Sequence, residues 1–123
     1  MPNARQTLGA AGEAAAARHL RARGYRLVAH NVRADGVEID LIVERAGVLV
    51  FAEVKTRRGS RHGSAAEAVD RRKQARLVRG ARAWLREANR RPRRVRFDVV
   101  TCTPAAEGSF RIEHWPAAFE ADG

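Results

Sequence analysis

The sequence predicts an α/β (α+β) domain with the element order αβββαβ, extended by one further strand, in which helices flank a mixed central sheet. Two segments, 8–23 and 65–89, have the apolar spacing of helices, and five shorter segments are rich in β-branched and aromatic residues. The chain has 123 residues, enough for one sheet with covering helices. We therefore expect residues 1–123 to form a single domain, with 1–6 and 120–123 frayed.

The first helix is predicted over Leu8–Arg23, with Gly24 at the position where left-handed caps are common. Glu13 stands three and seven residues before Ala16 and Leu20, so it lies on the apolar face of this helix. Two interpretations of Glu13 stay open. It is either a site residue or a charge that interacts with the dipole near the N-terminus of the helix.

Three strands follow, and the second and third form a hairpin; they are predicted over Tyr25–Arg33, Val37–Glu44 and Val48–Lys55. A two-residue turn at Ala46 and Gly47 would pair residues whose numbers sum to 93.

That register places Asp40 opposite Glu53 and Glu38 opposite Lys55. A four-residue turn would slide the register by two and keep all four on one face. Only an odd loop length or a bulge would separate them.

The second half of the chain begins with a basic, glycine-containing loop over 56–64. Ser64 and Glu67 then have the spacing of a capping box, which predicts a long helix from about Ala65 to about Asn89. Two last strands are predicted at 95–102 and 109–115. Asp98 within the first of them is expected to be structural, paired with Arg96 or Arg57.

The charge of the chain points to a polyanionic partner, since 24 Lys and Arg oppose 14 Asp and Glu, a net charge of +10. Nucleic acid is favoured over a membrane surface, because no apolar run approaches the roughly 20 residues of a membrane span. The absence of a continuous apolar stretch near the N-terminus also argues against a secretory signal. A single cysteine, Cys102, fits a reducing compartment. We expect a cytoplasmic protein.

Lysine is scarce: only Lys55 and Lys73 among the 24 basic residues are lysines. Arginine can replace lysine where a solvated positive charge suffices, but not where a compact ammonium is needed. Both lysines are therefore site candidates, with chance survival as the alternative. Lys73 falls on the margin of the apolar face of its helix, where it could contact phosphate or simply extend to solvent.

Asp40 and Glu53 are the central candidates for catalysis. Two carboxylates that face each other across a strand pair repel, so they need a compensating charge. Lys55 offers one, and Mg²⁺ or Mn²⁺ offers a stronger one, with Glu13 near enough to contribute. Glu38 either neutralises Lys55 or contacts the metal. The plain alternative is a cross-strand cluster of ion pairs that only shapes the surface.

Nucleic-acid contacts are expected in the loop after the third strand. Arg57, Arg58 and Arg61 follow that strand closely and could hold the phosphate backbone, and His62 could contact DNA or carry a proton. Few aromatic residues are present, so recognition of backbone and shape is favoured over stacking on single-stranded bases. The histidines lack metal-ligand spacing, and no zinc site is expected.

At these residues the chain resembles the PD-(D/E)xK nuclease superfamily: Asp40, then Glu53, Val54 and Lys55, with Glu13 in the preceding helix. The blocks GEAAAARHL, NVR, GVEIDLI, FAEVKTR, RFDVV and HWPAAF also look like the YraN-type family of small bacterial proteins. The resemblance implies a restriction-endonuclease-like fold with Holliday-junction resolvases as the functional model.

The resemblance further implies that Asp40, Glu53 and the backbone carbonyl of Val54 bind metal, that Lys55 is catalytic, and that Glu13 supports them. The superfamily's proline is replaced by an isoleucine before Asp40, at a position that varies. The expected function is a Mg²⁺-dependent endonuclease acting on DNA rather than RNA, including branched DNA. A homodimer would suit two-fold junctions. The alternative is a nucleic-acid-binding protein with the nuclease fold and little or no activity.

Overall fold

The computed structural model describes residues 3–57 and 69–121, apart from the side chain of Arg5. Two helices and five strands follow the predicted order, which confirms the α+β fold. The elements are α1 (Ala4–Ala22), β1 (Arg26–Ala34), β2 (Val37–Arg45), β3 (Val48–Thr56), α2 (Arg71–Glu87), β4 (Arg94–Pro104), a short 3₁₀ turn (Ala106–Gly108) and β5 (Phe110–Phe119).

The five strands form one mixed sheet in the order β1-β2-β3-β4-β5. Strands β3 and β4 are parallel, whereas the other neighbours are antiparallel. Parallel neighbours need a crossover connection, and α2 lies in the connection between β3 and β4. The crossover therefore brings α2 back onto the sheet beside the strands that carry the candidate residues.

The β2–β3 hairpin has the register predicted for a two-residue turn. Its backbone pairs run from Leu41–Ala52 to Arg45–Val48. The turn residues Ala46 and Gly47 both have positive φ, 52° and 81°, as a type I′ turn requires.

The two helices cover opposite faces of the sheet. Leu41 and Val43 pack with the α1 side of the core, whereas Ile42 between them packs with the α2 side, as alternation along a strand dictates. On the α2 face, Phe51 of β3 packs against Val78 and its neighbours. Glu53 stands two residues beyond Phe51, so it faces α2 as well.

Helix α1 begins at Ala4, not at the predicted Leu8. Asn3 caps the helix: its side chain accepts a hydrogen bond from the Gln6 backbone N (2.8 Å), and its own backbone N donates to Gln6 Oε1 (3.1 Å). This reciprocal pair satisfies two free backbone donors of the first turn. The predicted end is confirmed, since Gly24 follows the helix with φ of 89°.

Helix α2 begins at Arg71, not near residue 65. Asp70 caps it by accepting a hydrogen bond from the Lys73 backbone N (2.9 Å). The predicted Ser64–Glu67 capping box lies outside the described residues. At its C-terminal side the helix stops at Glu87, and the two strands that follow are longer than predicted. None of the described helices is long and apolar enough to cross a membrane.

Candidate active site

A polar cavity of about 390 Å³ opens where α1, β2, β3 and α2 come together. Seven charged side chains line it, four carboxylates and three cations, together with Val54 and a few small or apolar residues. The charged residues are Glu13, Glu38, Asp40, Glu53, Arg33, Lys73 and Arg76. The structure thus gathers six of the predicted site residues from four different elements: Glu13, Glu38, Asp40, Glu53, Val54 and Lys73.

Asp40 and Glu53 are the two buried acids of this cavity, with 8% and 5% of their surface exposed. Asp40 Oδ2 accepts a hydrogen bond from the Val54 backbone N at 2.9 Å. Burial, followed by the negative charge of Glu53, raises the pKa of Asp40 to about 7, against the lowering effect of that hydrogen bond. The negative charge of Glu53 thus disfavours the ionised form of Asp40, and a positive charge between the two carboxylates would relieve this repulsion.

Glu53 has a positive partner that comes from α2. Lys73 Nζ lies 2.7 Å from Glu53 Oε1, and the carboxylate is almost fully buried while the lysine is partly exposed. Burial acts to lower the pKa of Lys73, but the hydrogen bond and the charge of Glu53 raise it overall. Lys73 was a supporting candidate in the sequence, and here it contacts one of the two central carboxylates.

Lys55 stands two residues beyond Glu53 on β3, and it is not among the residues that line the cavity. Burial, then the neighbouring positive charge of Lys73, lowers its pKa, although Glu53 acts in the opposite direction. The only two lysines of the chain, 18 positions apart, are therefore neighbours at this site. The scarcity of lysine in the sequence indicated that both are site candidates, but it did not predict that their side chains lie close together.

Glu13 lies in the middle of α1 and lines the same cavity. Burial raises its pKa, as do the charges of Glu38 and Glu53, while a hydrogen bond with Asn31 lowers it. The first turn of α1 contains no acidic residue, so the interpretation of Glu13 as a charge near the N-terminus of the helix is wrong. The other interpretation, a site residue, agrees with its position.

Glu38 is exposed and forms a long ion pair with Arg33 (3.7 Å), its cross-strand partner on β1. The ion-pair partner of Glu38 in the structure is thus Arg33 rather than Lys55, and its contact with a metal stays a prediction. Arg57 directly follows β3 and is exposed, and its positive charge contributes to the lowered pKa of Lys55. Its backbone N donates to the Cys102 carbonyl (2.9 Å).

The other predicted nucleic-acid contacts, Arg58, Arg61 and His62, lie outside the described residues.

Three residues near the cavity were not singled out from the sequence. Asn31 holds Glu13 from a left-handed backbone conformation inside β1, with φ of 49°. Asparagine adopts this conformation more readily than most residues, which is the signal that could have drawn attention to it. Arg33 and Arg76 line the cavity from β1 and α2. Arginine is so common in this chain that composition alone could not distinguish them.

The donor atoms of the site suit a hard divalent cation with a large share of water ligands. Within residues 3–57 and 69–121, no three His, Cys, Asp or Glu side chains are grouped so that they could hold a metal ion. Mg²⁺, however, keeps several waters and is often bound through one or two carboxylates. Asp40 and Glu53 supply two carboxylates in a coupled pair, so the residues fit such a cation and do not fit an all-protein cage.

A third buried acid, Asp98, lies apart from the cavity. It is fully buried and accepts hydrogen bonds from both Arg96 Nε and Arg96 Nη2 (2.8 Å each) and from the Ala117 backbone N (3.0 Å). It also pairs with His114 Nε2 at 2.7 Å. This confirms the structural pairing with Arg96 and excludes Arg57 as its partner.

Comparison with known proteins extends along most of the chain. The uncharacterised protein family UPF0102 matches residues 12–102. A UPF0102 protein of Symbiobacterium thermophilum is 50% identical over 114 residues, which cover 93% of this chain and 97% of that protein. A UPF0102 protein of Frankia alni is 47% identical, over 94% of this chain and 97% of that protein. A UPF0102 protein of Syntrophotalea carbinolica is 38% identical, over 97% of this chain and 96% of that protein. This chain therefore belongs to the uncharacterised protein family UPF0102.

Proposed function

We propose that this protein is a metal-dependent endonuclease that cleaves phosphodiester bonds of DNA, and that it is a YraN-type member of the PD-(D/E)xK nuclease superfamily. One observation carries the proposal. Asp40 and Glu53, thirteen residues apart in the sequence, are both buried in one cavity, and Lys55 and Lys73 stand beside them. Two coupled carboxylates with adjacent amines form a set suited to phosphoryl chemistry.

Asp40 and Glu53 are the residues that would hold Mg²⁺ or Mn²⁺, with the Val54 carbonyl as a further donor. Such an ion would polarise the phosphate and lower the pKa of a water molecule bound to it. The Asp40–Val54 hydrogen bond fixes the orientation of one carboxylate before any ligand arrives. Preorganised ligands of this kind reduce the cost of binding the cation.

Lys55 and Glu13 supply the remaining polar groups. The amine of Lys55 can stabilise the negative charge that develops on the phosphate during displacement. Glu13 is partly buried and its pKa is raised, so its carboxylate can accept a proton from a water molecule in the cavity and hold it. These roles agree with those that the sequence resemblance implies.

The charge around the cavity supports a polyanionic substrate. Arg33, Lys73 and Arg76 form a basic part of its lining, and Arg57 is exposed just after β3. Arginine forks bind phosphate oxygens well, so these residues are candidates for contacts with the DNA backbone. The aromatic side chains of the described residues are all buried or partly buried, which supports recognition of backbone and shape over base stacking. Branched DNA and a homodimer remain predictions.

A second candidate function is binding of nucleic acid without cleavage. It is favoured by one observation: Lys73 already neutralises Glu53, and no three potential ligand side chains are grouped for a metal in the described part of the chain. A protein of this kind would bind the same DNA substrates through the same basic residues. The two candidates differ in whether the bound DNA is cut.

The test is an assay of purified protein on labelled duplex, single-stranded and four-way-junction DNA, with Mg²⁺, with Mn²⁺ and with EDTA. We expect cleavage of DNA only with a divalent cation, and we expect Asp40→Asn and Lys55→Ala to remove it while DNA binding persists. Asp35→Asn is the matched control, because Asp35 is an exposed carboxylate paired with Arg79 outside the cavity.

Cleavage that survives both site substitutions would identify a contaminating nuclease. Binding of every substrate without cleavage by the wild-type protein would support the second candidate. Loss of activity in Asp35→Asn as well would show that charge removal in general, rather than the site, controls the signal.

A further inference from the structure

The contact between Lys73 and Glu53 has a consequence for how the cavity binds cations. Lys73 Nζ lies 2.7 Å from Glu53 Oε1, and that carboxylate has a side-chain exposure of only 6%. A carboxylate removed from water to this degree needs a positive partner or a proton. Lys73 supplies the positive charge from a different element, α2.

The backbone of Lys73 is fixed while its side chain has room to move. Its backbone N donates to the Asp70 cap of α2 (2.9 Å), which anchors the residue in the first turn of the helix. Its side chain remains 41% exposed at the cavity. A lysine has four rotatable bonds beyond its Cα, so its ammonium can move between a carboxylate and a nearby anion without any shift of the helix.

A divalent cation held by Asp40 and Glu53 would compete with this ammonium. Both would draw on the same carboxylate, and two positive groups placed side by side repel each other. The cavity also offers a place for a phosphate near Lys73, since Arg76 stands three residues further along α2 and lines the same cavity. A phosphate bound there would attract both side chains.

We propose that Lys73 is an internal counter-ion of the cavity, which holds Glu53, competes with a divalent cation for it, and turns to the substrate phosphate when the cation binds. This inference rests on the metal site of the proposed function. It goes further by assigning Lys73 a role that a purely structural ion pair would not have. Under this proposal Lys73 positions Glu53 before the cation binds and contacts the substrate phosphate afterwards.

The experiment measures Mn²⁺ affinity by the electron paramagnetic resonance signal of the free ion, with full-length wild-type protein and no DNA. Lys73→Met removes the charge and keeps a flexible chain, and Lys73→Arg keeps the charge. Arg86→Met is the matched control, since it removes one positive charge from an exposed position on the same helix, outside the cavity. Circular dichroism establishes that each variant is folded.

We expect Lys73→Met to bind Mn²⁺ on the order of tenfold more tightly than wild type, because a competitor has been removed. Lys73→Arg and Arg86→Met should stay within about twofold of wild type. We further expect Lys73→Met to bind a four-way junction less tightly when Ca²⁺ occupies the metal site, relative to Arg86→Met.

Unchanged or weaker Mn²⁺ affinity in folded Lys73→Met would overturn the proposal, as would equal tightening in Arg86→Met. Absence of Mn²⁺ binding in both the wild type and Lys73→Met would overturn it together with the metal site. Tight Mn²⁺ binding without any DNA cleavage would instead reject the nuclease function and leave the counter-ion role intact. If Lys73→Met fails to fold, Lys73→Gln provides the same comparison with a polar replacement.

Discussion

Asp40 Oδ2 accepts a hydrogen bond from the Val54 backbone N at 2.9 Å, immediately beyond the last backbone pair of the hairpin, Leu41 and Ala52. The Asp40 side chain thus accepts a hydrogen bond from a backbone N–H of β3 just where the backbone pairing of the hairpin ends, which is where the candidate site lies. The hydrogen bond orients the carboxylate, yet burial and Glu53 still raise its pKa to about 7. Holding the Asp40 carboxylate buried beside Glu53 therefore lowers the free energy of unfolding at neutral pH, and this loss can be measured.

Asp40→Asn should increase the stability of the protein at pH 8. In the folded chain the pKa of Asp40 is about 7, above its ordinary 3.8, so the folded state holds a proton that the unfolded state releases between these values. The contribution of Asp40 therefore becomes less favourable as pH rises from about 4 to 7. Urea unfolding in EDTA should show Asp40→Asn more stable than wild type by roughly 1–3 kcal/mol at pH 8.

The advantage of Asp40→Asn should shrink towards pH 5, where wild-type Asp40 is largely protonated in the folded state. Asp35→Asn serves as the control, because Asp35 is exposed and paired with Arg79. A stability difference that does not change between pH 5 and 8 would contradict a raised pKa of Asp40.

Gly12→Ala should destabilise the packing of α1 against the end of β3. A Cβ at Gly12 would lie 2.1 Å from Thr56 Oγ1, so either the helix or the threonine must move. We expect a loss of roughly 1–3 kcal/mol in the free energy of unfolding. The same substitution at Gly9 of α1 meets nothing within 4 Å and should stabilise the helix by about 0.5–1 kcal/mol.

The double variant Gly12→Ala, Thr56→Ala isolates the clash, since it removes the hydroxyl that the new methyl group would meet. It should recover most of the lost stability in thermal unfolding. Equal effects of Gly12→Ala and Gly9→Ala would show that helix propensity alone, and not the close approach, sets the result.

Asp98→Ala should be among the more damaging single substitutions outside the cavity. Burial acts to raise the pKa of Asp98, but hydrogen bonds from Arg96 and His114 lower it overall, so the ionised form stabilises the fold. Its removal leaves Arg96 without its buried partner, at a cost of about 3–5 kcal/mol in unfolding free energy. Asp35→Ala, which breaks an exposed arginine pair, should cost less than about 1 kcal/mol.

The contribution of Asp98 is fully present above its ordinary pKa of 3.8 and declines as pH falls below that value. The difference between wild type and Asp98→Ala in urea unfolding should therefore persist from pH 8 to pH 5. A loss equal to that of Asp35→Ala would mean that burial adds nothing to the strength of the pair.

Cys102 should be unreactive towards thiol reagents in the folded protein at pH 8. The residue is fully buried and its Sγ donates to the Gly12 carbonyl (3.4 Å), and burial raises its pKa to about 11. Thiolate is the reactive form, so little of it is present at this pH. Ellman's reagent should label Cys102 only after urea is added, at the rate of global unfolding. Rapid labelling of one thiol without urea would contradict this prediction.

Much of the candidate site could be predicted from the sequence because the determining interactions are local. A turn of two or of four residues keeps Asp40 and Glu53 on one face of the hairpin by strand alternation alone, and the structure has the register of the two-residue turn. The apolar spacing of the first helix likewise placed Glu13 towards the core. The predicted α+β order followed from the same local patterns.

The first residues of the two helices could not be predicted from the sequence, because several residues near each start compete as the N-cap. The Ser64–Glu67 spacing predicted a helix start near residue 65, yet α2 begins at Arg71 with Asp70 as its cap. Several polar residues in that stretch could serve as a cap, and local propensity does not rank them. The sequence predicts the start of α1 four residues too late for a related reason. Asn3 and Gln6 form a capping box, but its first residue is Asn and not the Ser or Thr of the usual pattern.

The sequence by itself determined the order of helices and strands, and it determined that Asp40 and Glu53 share one face of the hairpin for a turn of either two or four residues. Only the tertiary structure decided which charges meet. Lys73 reaches Glu53 because the crossover packs α2 over that face of the sheet, and Asp98 is held by Arg96 and His114 while Arg96 contacts Tyr25, 71 positions away. Such contacts form between elements distant in the chain, and their energies depend on burial that exists only once the sheet and helices are assembled.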